Sequence, residues 1–109
     1  MEKKLSALAE PNRLNIIELL REGPLTVGEI AEKLRLRQPQ VSKHLRVLLE
    51  AGLVEVEPLA NRRFYKLSAE SLKEVHDWTE SFRSVWEGRF DRLDDYLLEM
   101  ERKDEEKED

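Results

Sequence analysis

Two short apolar stripes with a four-residue break between them constrain this chain more than any other feature. Thr26 followed three residues later by Glu29 has capping-box spacing, in which each side chain satisfies a backbone N–H that the helix leaves unpaired. The box opens a helix with Val27, Ile30, Ala31 and Leu34 on its inner side. Periodicity is then lost over Arg35-Leu36-Arg37-Gln38. Pro39 suits the first position of a second helix, with Gln38 as its N-cap. Val41, Leu45, Leu48 and Leu49 make its inner stripe, and Ala51-Gly52 stops it. So short a break leaves room only for a tight turn, and the pair is expected to be a helix-turn-helix.

The flanking segments fit around that pair. From Pro11, the residues Leu14, Ile16, Ile17, Leu19 and Leu20 have helical spacing and end at Gly23-Pro24, where glycine caps a helix and proline prevents its continuation. Leu53 to Glu57 alternates apolar with acidic residues, Asn61 offers a turn, and Phe64-Tyr65-Lys66-Leu67 returns, so a β-hairpin is expected. Ser68 or Ser71 caps one long final helix with Leu72, Val75, Trp78, Phe82, Val85, Trp86, Phe90, Leu93, Leu97 and Met100 as its apolar positions and Gly88 as its weak point. The expected fold is mainly α with a small β-hairpin, in the order α-α-α-α-β-β-α. Residues 1–100 would form one domain, and residues 101–109 a charged, disordered tail.

Charge separates the second helix of the pair from the rest. Leu34 to Leu49 carries Arg35, Arg37, Lys43 and Arg46 with no acid, and Pro58 to Ala69 carries Arg62, Arg63 and Lys66 with no acid. The two windows hold +7 within a chain of −5, so the remainder holds 12 basic and 24 acidic residues, or −12. One basic surface on an acidic body attracts nucleic acid to that face and repels it elsewhere.

With about 100° between successive residues, Val41, Leu45 and Leu48 cluster on one side of the second helix, while Gln40, Ser42, Lys43, Arg46 and Val47 spread over the other. Gln reads adenine, Lys or Arg reads guanine, and Ser serves base or phosphate. Gln40 and Lys43 are expected to reach bases, and Ser42 and Arg46 to lie nearer the backbone of double-stranded DNA. Arg37 and Gln38 approach from the turn. Arg62 and Arg63 at the hairpin tip would reach a flanking phosphate or a minor groove.

Other chemistry finds little support. No cysteine is present, which removes disulfides, thiolate metal sites and thiol redox switching. His44 lies near the buried stripe and, like His76, is expected to pack or hydrogen-bond within the fold. No metal site or cofactor is expected. Glu87, Asp91, Asp94 and Asp95 alternate with Arg89 and Arg92 as an ion-paired solvated face. Neither a nucleophile-base pair nor a phosphate-cradling glycine loop is visible, so no catalytic residue is assigned. The start has an acid at Glu2 and only a brief apolar run, which predicts no signal peptide, no membrane segment and a cytoplasmic location. Trp78, Phe82, Trp86, Phe90 and Tyr96 exceed what so small a core can bury, and a dimer seam is their expected home. Alternatives are a protein-interaction module working through that aromatic helix, or a sensor of metal or small molecules at the dimer seam.

The segments Leu8-Ala-Glu-Pro-Asn-Arg-Leu-Asn-Ile-Ile-Glu-Leu-Leu20, Gln38-Pro-Gln-Val-Ser-Lys-His-Leu-Arg-Val-Leu48 and Ala51-Gly-Leu-Val54, with Tyr65-Lys-Leu67, resemble the ArsR family of transcriptional repressors over about residues 5 to 70. The resemblance implies a winged helix-turn-helix and a homodimer joined by its first and last helices, here Leu5, Leu8, Trp78, Phe82, Trp86, Phe90, Leu93 and Leu97. It implies repression at inverted repeats. Thr26 and Gly28 stand where the family's thiolate sensors have cysteines, and the last helix offers only Glu74-Val75-His76 in place of zinc-type ligand pairs. The chain therefore resembles members without a recognised metal site, whose inducer the sequence does not name.

Overall fold

The computed structural model describes residues 1–108, except for the side chains of residues 89–91 and 105–108. The elements are α1 (Glu2–Leu8), α2 (Pro11–Leu19), a 3-10 turn (Leu20–Glu22), α3 (Val27–Leu34), α4 (Gln38–Glu50), β1 (Val54–Leu59), β2 (Arg62–Leu67), α5 (Ala69–Glu80) and α6 (Arg83–Glu108). They divide into two compact units, Met1–Val75 and His76–Asp109.

In the first unit side chains cap the starts of α2 and α3, and backbone bonds close the ends of α3 and α4. The Glu10 carboxylate accepts the Arg13 N–H at 2.9 Å above Pro11, which opens α2. The Thr26 hydroxyl oxygen accepts the Glu29 N–H at 3.2 Å and the Glu29 carboxylate accepts the Thr26 N–H at 3.3 Å, closing the capping box of α3. Both helices of the central pair end in the same way. Leu36 N–H reaches the Ala31 carbonyl and Leu53 N–H the Leu48 carbonyl, each at 3.0 Å, the six-to-one bond of a Schellman cap. That cap needs a left-handed residue just before its end. Gly52 provides it at φ +78°, whereas after α3 the residue is Arg35 at φ +55°, a conformation that costs a residue with a β-carbon about 1–2 kcal/mol.

The core is where the inward stripes of three helices meet the wing. Ile16 of α2, Ile30 of α3, Val41, Leu45 and Leu48 of α4, and Leu53 are fully enclosed, joined by Leu20, Ala31, Val54 and Tyr65. The predicted stripe of α4 is therefore the stripe that is buried, except that Leu49 is only half-buried. Strands β1 and β2 pair antiparallel from Val54↔Leu67 to Leu59↔Arg62, around the two-residue loop Ala60-Asn61. The hairpin is longer than the alternation predicted, and its left-handed residue is Ala60 at φ +56°. Leu25 exchanges hydrogen bonds with Tyr65 at 3.0 and 2.8 Å, fastening the wing to the segment that leads into α3.

The predicted single last helix is two helices. Ser68 caps the first of them, its Oγ accepting the Ser71 N–H at 3.3 Å, while Ser71 donates to the Gly52 carbonyl at 2.6 Å. Within the second unit the chain breaks at Ser81 and Phe82 and not at Gly88, which lies inside α6. The reason is local hydrogen bonding. Thr79 Oγ1 donates to the His76 carbonyl at 2.9 Å and Ser81 Oγ to the Trp78 carbonyl at 2.6 Å, while Phe82 N–H turns to the Thr79 carbonyl three residues back. Hydroxyls that compete for helical carbonyls, combined with a switch to three-residue spacing, end a helix without any glycine. Gly88 costs propensity, but it does not decide the break.

Candidate nucleic-acid interface

Burial of Val41, Leu45 and Leu48 turns the opposite face of α4 outward, and Gln38, Pro39, Gln40, Ser42, Lys43 and Arg46 are all exposed. The first acid on this helix is Glu50, in its last turn. Two predicted contacts differ in detail. Gln38 is the first residue of the helix and not its N-cap, which is Arg37. Gln40 then falls at the third position, where its Oε1 accepts the Arg37 N–H at 3.0 Å. The cap position lacks a side-chain acceptor, so the helix is closed from inside by an amide. In this conformation the Gln40 carbonyl oxygen is engaged and its NH2 group remains for a ligand.

Arg46 lies 3.5 Å from Glu50 one turn further on, with both side chains well exposed. A surface pair of this kind contributes little and exchanges readily for a phosphate. Among the described residues, Lys43 and Ser42 have no side-chain hydrogen bond or ion pair within the protein.

The wing joins this face through the first turn of α3. Arg62 is 3.6 Å from Glu29 and stacks over Phe64 at 5.5 Å. A β-carbon placed on Gly28 would lie 3.5 Å from the Gln38 side-chain nitrogen. Gly28 and Glu29 therefore adjoin the start of α4 on one side and the wing arginine on the other. The register separates the two arginines that the sequence groups together. Arg62 faces Leu59 and Arg63 faces Pro58 across the hairpin, and alternate residues of a strand point to opposite faces.

The Glu29 carboxyl is held below the usual glutamate range. The Thr26 hydroxyl is the main cause and the Thr26 backbone N–H the next; burial opposes them, and Arg62 and Lys33 add lesser help. A depressed carboxylate contributes stability above its unfolded-state pKa and loses it as pH falls through the folded one. Thr26→Val is expected to lower the melting temperature by roughly 5 °C at neutral pH. The deficit should shrink in acid as Glu29 protonates, and an NMR titration should show its pKa rising toward the ordinary value. An unmoved Glu29 titration would mean that the hydroxyl is not the cause.

Several candidates lie elsewhere. His44 faces inward, its Nδ1 3.4 Å from Arg13 Nη1 and 3.7 Å from Glu10 Oε2, while Arg13 Nε donates to the Ala7 carbonyl at 2.6 Å. It holds α4 to α2, as a packed histidine should. His76 is exposed. Leu5 and Leu8 are half-buried, and Leu8 packs against the core of its own chain. Trp78, Phe82, Trp86, Leu93 and Leu97 are exposed, and Trp78 meets Phe82 edge to face at 5.2 Å. The side chains of Phe90 and Asp91 lie outside the described residues. Glu87 pairs with Arg83 at 3.6 Å. Among the described residues no group of three or more potential ligands could hold a metal ion, and no helix is long and apolar enough to cross a membrane. The sequence candidates omitted Arg35, which is exposed in the turn beside Arg37. Its signal was an arginine where a helix end favours glycine.

The family described as bacterial regulatory protein, arsR family, matches residues 10–56. An HTH-type transcriptional regulator of Mycobacterium tuberculosis is 44% identical over 71 residues, which are 65% of this chain and 66% of that protein. The match thus spans slightly less than two thirds of that relative's length. Among solved structures, a possible transcriptional regulator for arsenical resistance is 35% identical with a TM-score of 0.66, covering 73% of this chain and 83% of that one. The homodimeric winged helix-turn-helix DNA-binding domain of a possible ArsR-family regulator from Mycobacterium bovis is 26% identical with a TM-score of 0.64, covering 76% and 77%.

Proposed function

This chain belongs to the arsR family of bacterial regulatory proteins and is a DNA-binding transcriptional regulator, and from that premise we propose that it is a homodimeric repressor of promoters carrying an inverted repeat. One α4 from each copy enters a major groove, with half-site centres about 34–36 Å apart on one face of the duplex. Lys43 and the Gln38 and Gln40 amides read base edges, and Ser42 and Arg46 hold the backbone. Arg37, Arg62 and Arg63 neutralise flanking phosphates. Repression follows from occupying the sequence that polymerase needs, in the cytoplasm where the operator lies.

One observation carries this reading: the exposed face of α4 is free of acid until Glu50, on a chain whose remaining surface is strongly acidic. The exposed apolar side chains at Trp78, Phe82, Trp86, Leu93 and Leu97 support the dimer, since so many large apolar groups are seldom left in water. Leu5 and Leu8 at the other end of the chain would join the seam. The homodimeric Mycobacterium bovis neighbour supports it as well.

Selection from a random duplex library with purified protein, followed by salt titration on the selected site, tests the proposal. The expected site is a palindrome with half-sites one helical turn apart. If each subunit neutralises roughly four phosphates, log affinity falls with log salt at a slope near −7. No enrichment, or a slope near zero, overturns it.

A further inference from the structure

The most exposed large apolar side chain among the described residues is Leu59, at 65%. It is the last residue of β1, at the tip of the wing. The register places it opposite Arg62, beside the Ala60-Asn61 loop, and the tip from Pro58 to Arg63 has two arginines and no acid. Glu57, two residues back on the same face of the strand, is paired with Lys66 at 3.5 Å. The tip is also stiff. Pro58 has a fixed φ, the loop has only two residues, and the strands pair up to Leu59 and Arg62.

A leucine held out by a short cationic hairpin has a specific use on DNA. Minor-groove proteins insert single apolar wedges between base steps while neighbouring arginines hold the groove edges. We propose that Leu59 is such a wedge: it enters the minor groove beside each half-site and selects for a deformable step there. This rests on the DNA-binding reading above and adds a specificity determinant to it. Pyrimidine–purine steps unstack most easily, so the selected operators should carry TA or CA/TG where the wing meets the duplex. Protein docking is a poorer explanation. Only Leu59, Phe64, Pro24 and Glu57 line the open groove at the tip, whereas a stable protein interface draws on roughly 20–30 residues from each partner. A wedge needs one side chain.

The test compares the wild type, Leu59→Ser and Leu59→Met on the selected operator by fluorescence anisotropy, with end-to-end energy transfer on the duplex to read bending. Leu59→Ser should bind about tenfold more weakly and bend the duplex less. Its salt slope should be unchanged, because an apolar residue releases no counterion. Leu59→Met keeps an apolar tip and should bind within about twofold of the wild type. Leu59→Ser binding as tightly as the wild type overturns the inference and leaves the repressor reading standing. Leu59→Met losing as much as Leu59→Ser also overturns it, since hairpin geometry and not insertion would then be the cause. A wild type that selects no operator removes the repressor reading and the wedge with it.

Discussion

Replacing Lys43 with alanine is expected to weaken operator binding by about 30-fold or more while leaving folding and dimerisation intact. Lys43 is exposed in the first half of α4, on the side opposite the buried stripe. A specific base contact of this kind is worth about 1–3 kcal/mol, and a dimer on a palindrome loses it twice. The manner of loss separates two roles. If Lys43 reads a base, Lys43→Ala should relax selectivity at one position of each half-site, with little change in salt dependence. If it touches phosphate alone, affinity should fall evenly across sequences and the salt slope should drop by about 1 per half-site. Binding by anisotropy to the operator and to single-position variants distinguishes them. Unchanged affinity would mean that the outward face of α4 is not the reading surface. Arg46→Ala should cost less, because Arg46 already pairs with Glu50 and its proposed contact is with the DNA backbone and not a base.

Leu45→Ala is expected to carry the largest stability cost. Leu45 is 1% exposed on the inner face of α4, in one core with Ile16, Ile30, Leu48 and Leu53. Deleting three buried carbons loses their transfer free energy and leaves a cavity that a small core closes poorly, for about 2–5 kcal/mol. For a unit of this size that corresponds to a fall in melting temperature of roughly 10–25 °C. Leu45→Met, which keeps the volume, should cost under about 1.5 kcal/mol. Thermal unfolding followed by circular dichroism reads both. A loss below about 1 kcal/mol in the alanine variant would mean that the α4 stripe does not carry the core. Operator binding should fall with stability only near the melting point, whereas Lys43→Ala affects binding at every temperature.

Much of the fold was legible because its signals are local. Thr26 and Glu29 are three residues apart and close their box within one turn. Val41, Leu45 and Leu48 share a face by helical period alone, and that face is the buried one. Gly23-Pro24 and Ala51-Gly52 mark helix ends because of what glycine and proline do to the backbone of any chain. The basic window was legible for the same reason, since a run of positions without an acid needs no structure to be counted. The boundary at Gln38 slipped by one because Gln40 supplies the cap from inside, and that bond depends on which rotamer the amide adopts.

The sequence by itself determined which segments are helical or extended, which side of α4 faces in, and that positive charge gathers on α4 and the wing. Only the tertiary structure decided what those charges meet. It set Arg62 against Glu29 and over Phe64, put Arg63 on the other face of the hairpin, and left Leu59 uncovered at its tip. The physical division is one of range. Helical period, capping and formal charge act within a few residues, so a linear sequence displays them. Strand register, the pairing of Arg62 with Glu29, and the exposure of one leucine follow from contacts between distant segments, which exist only once the chain has packed.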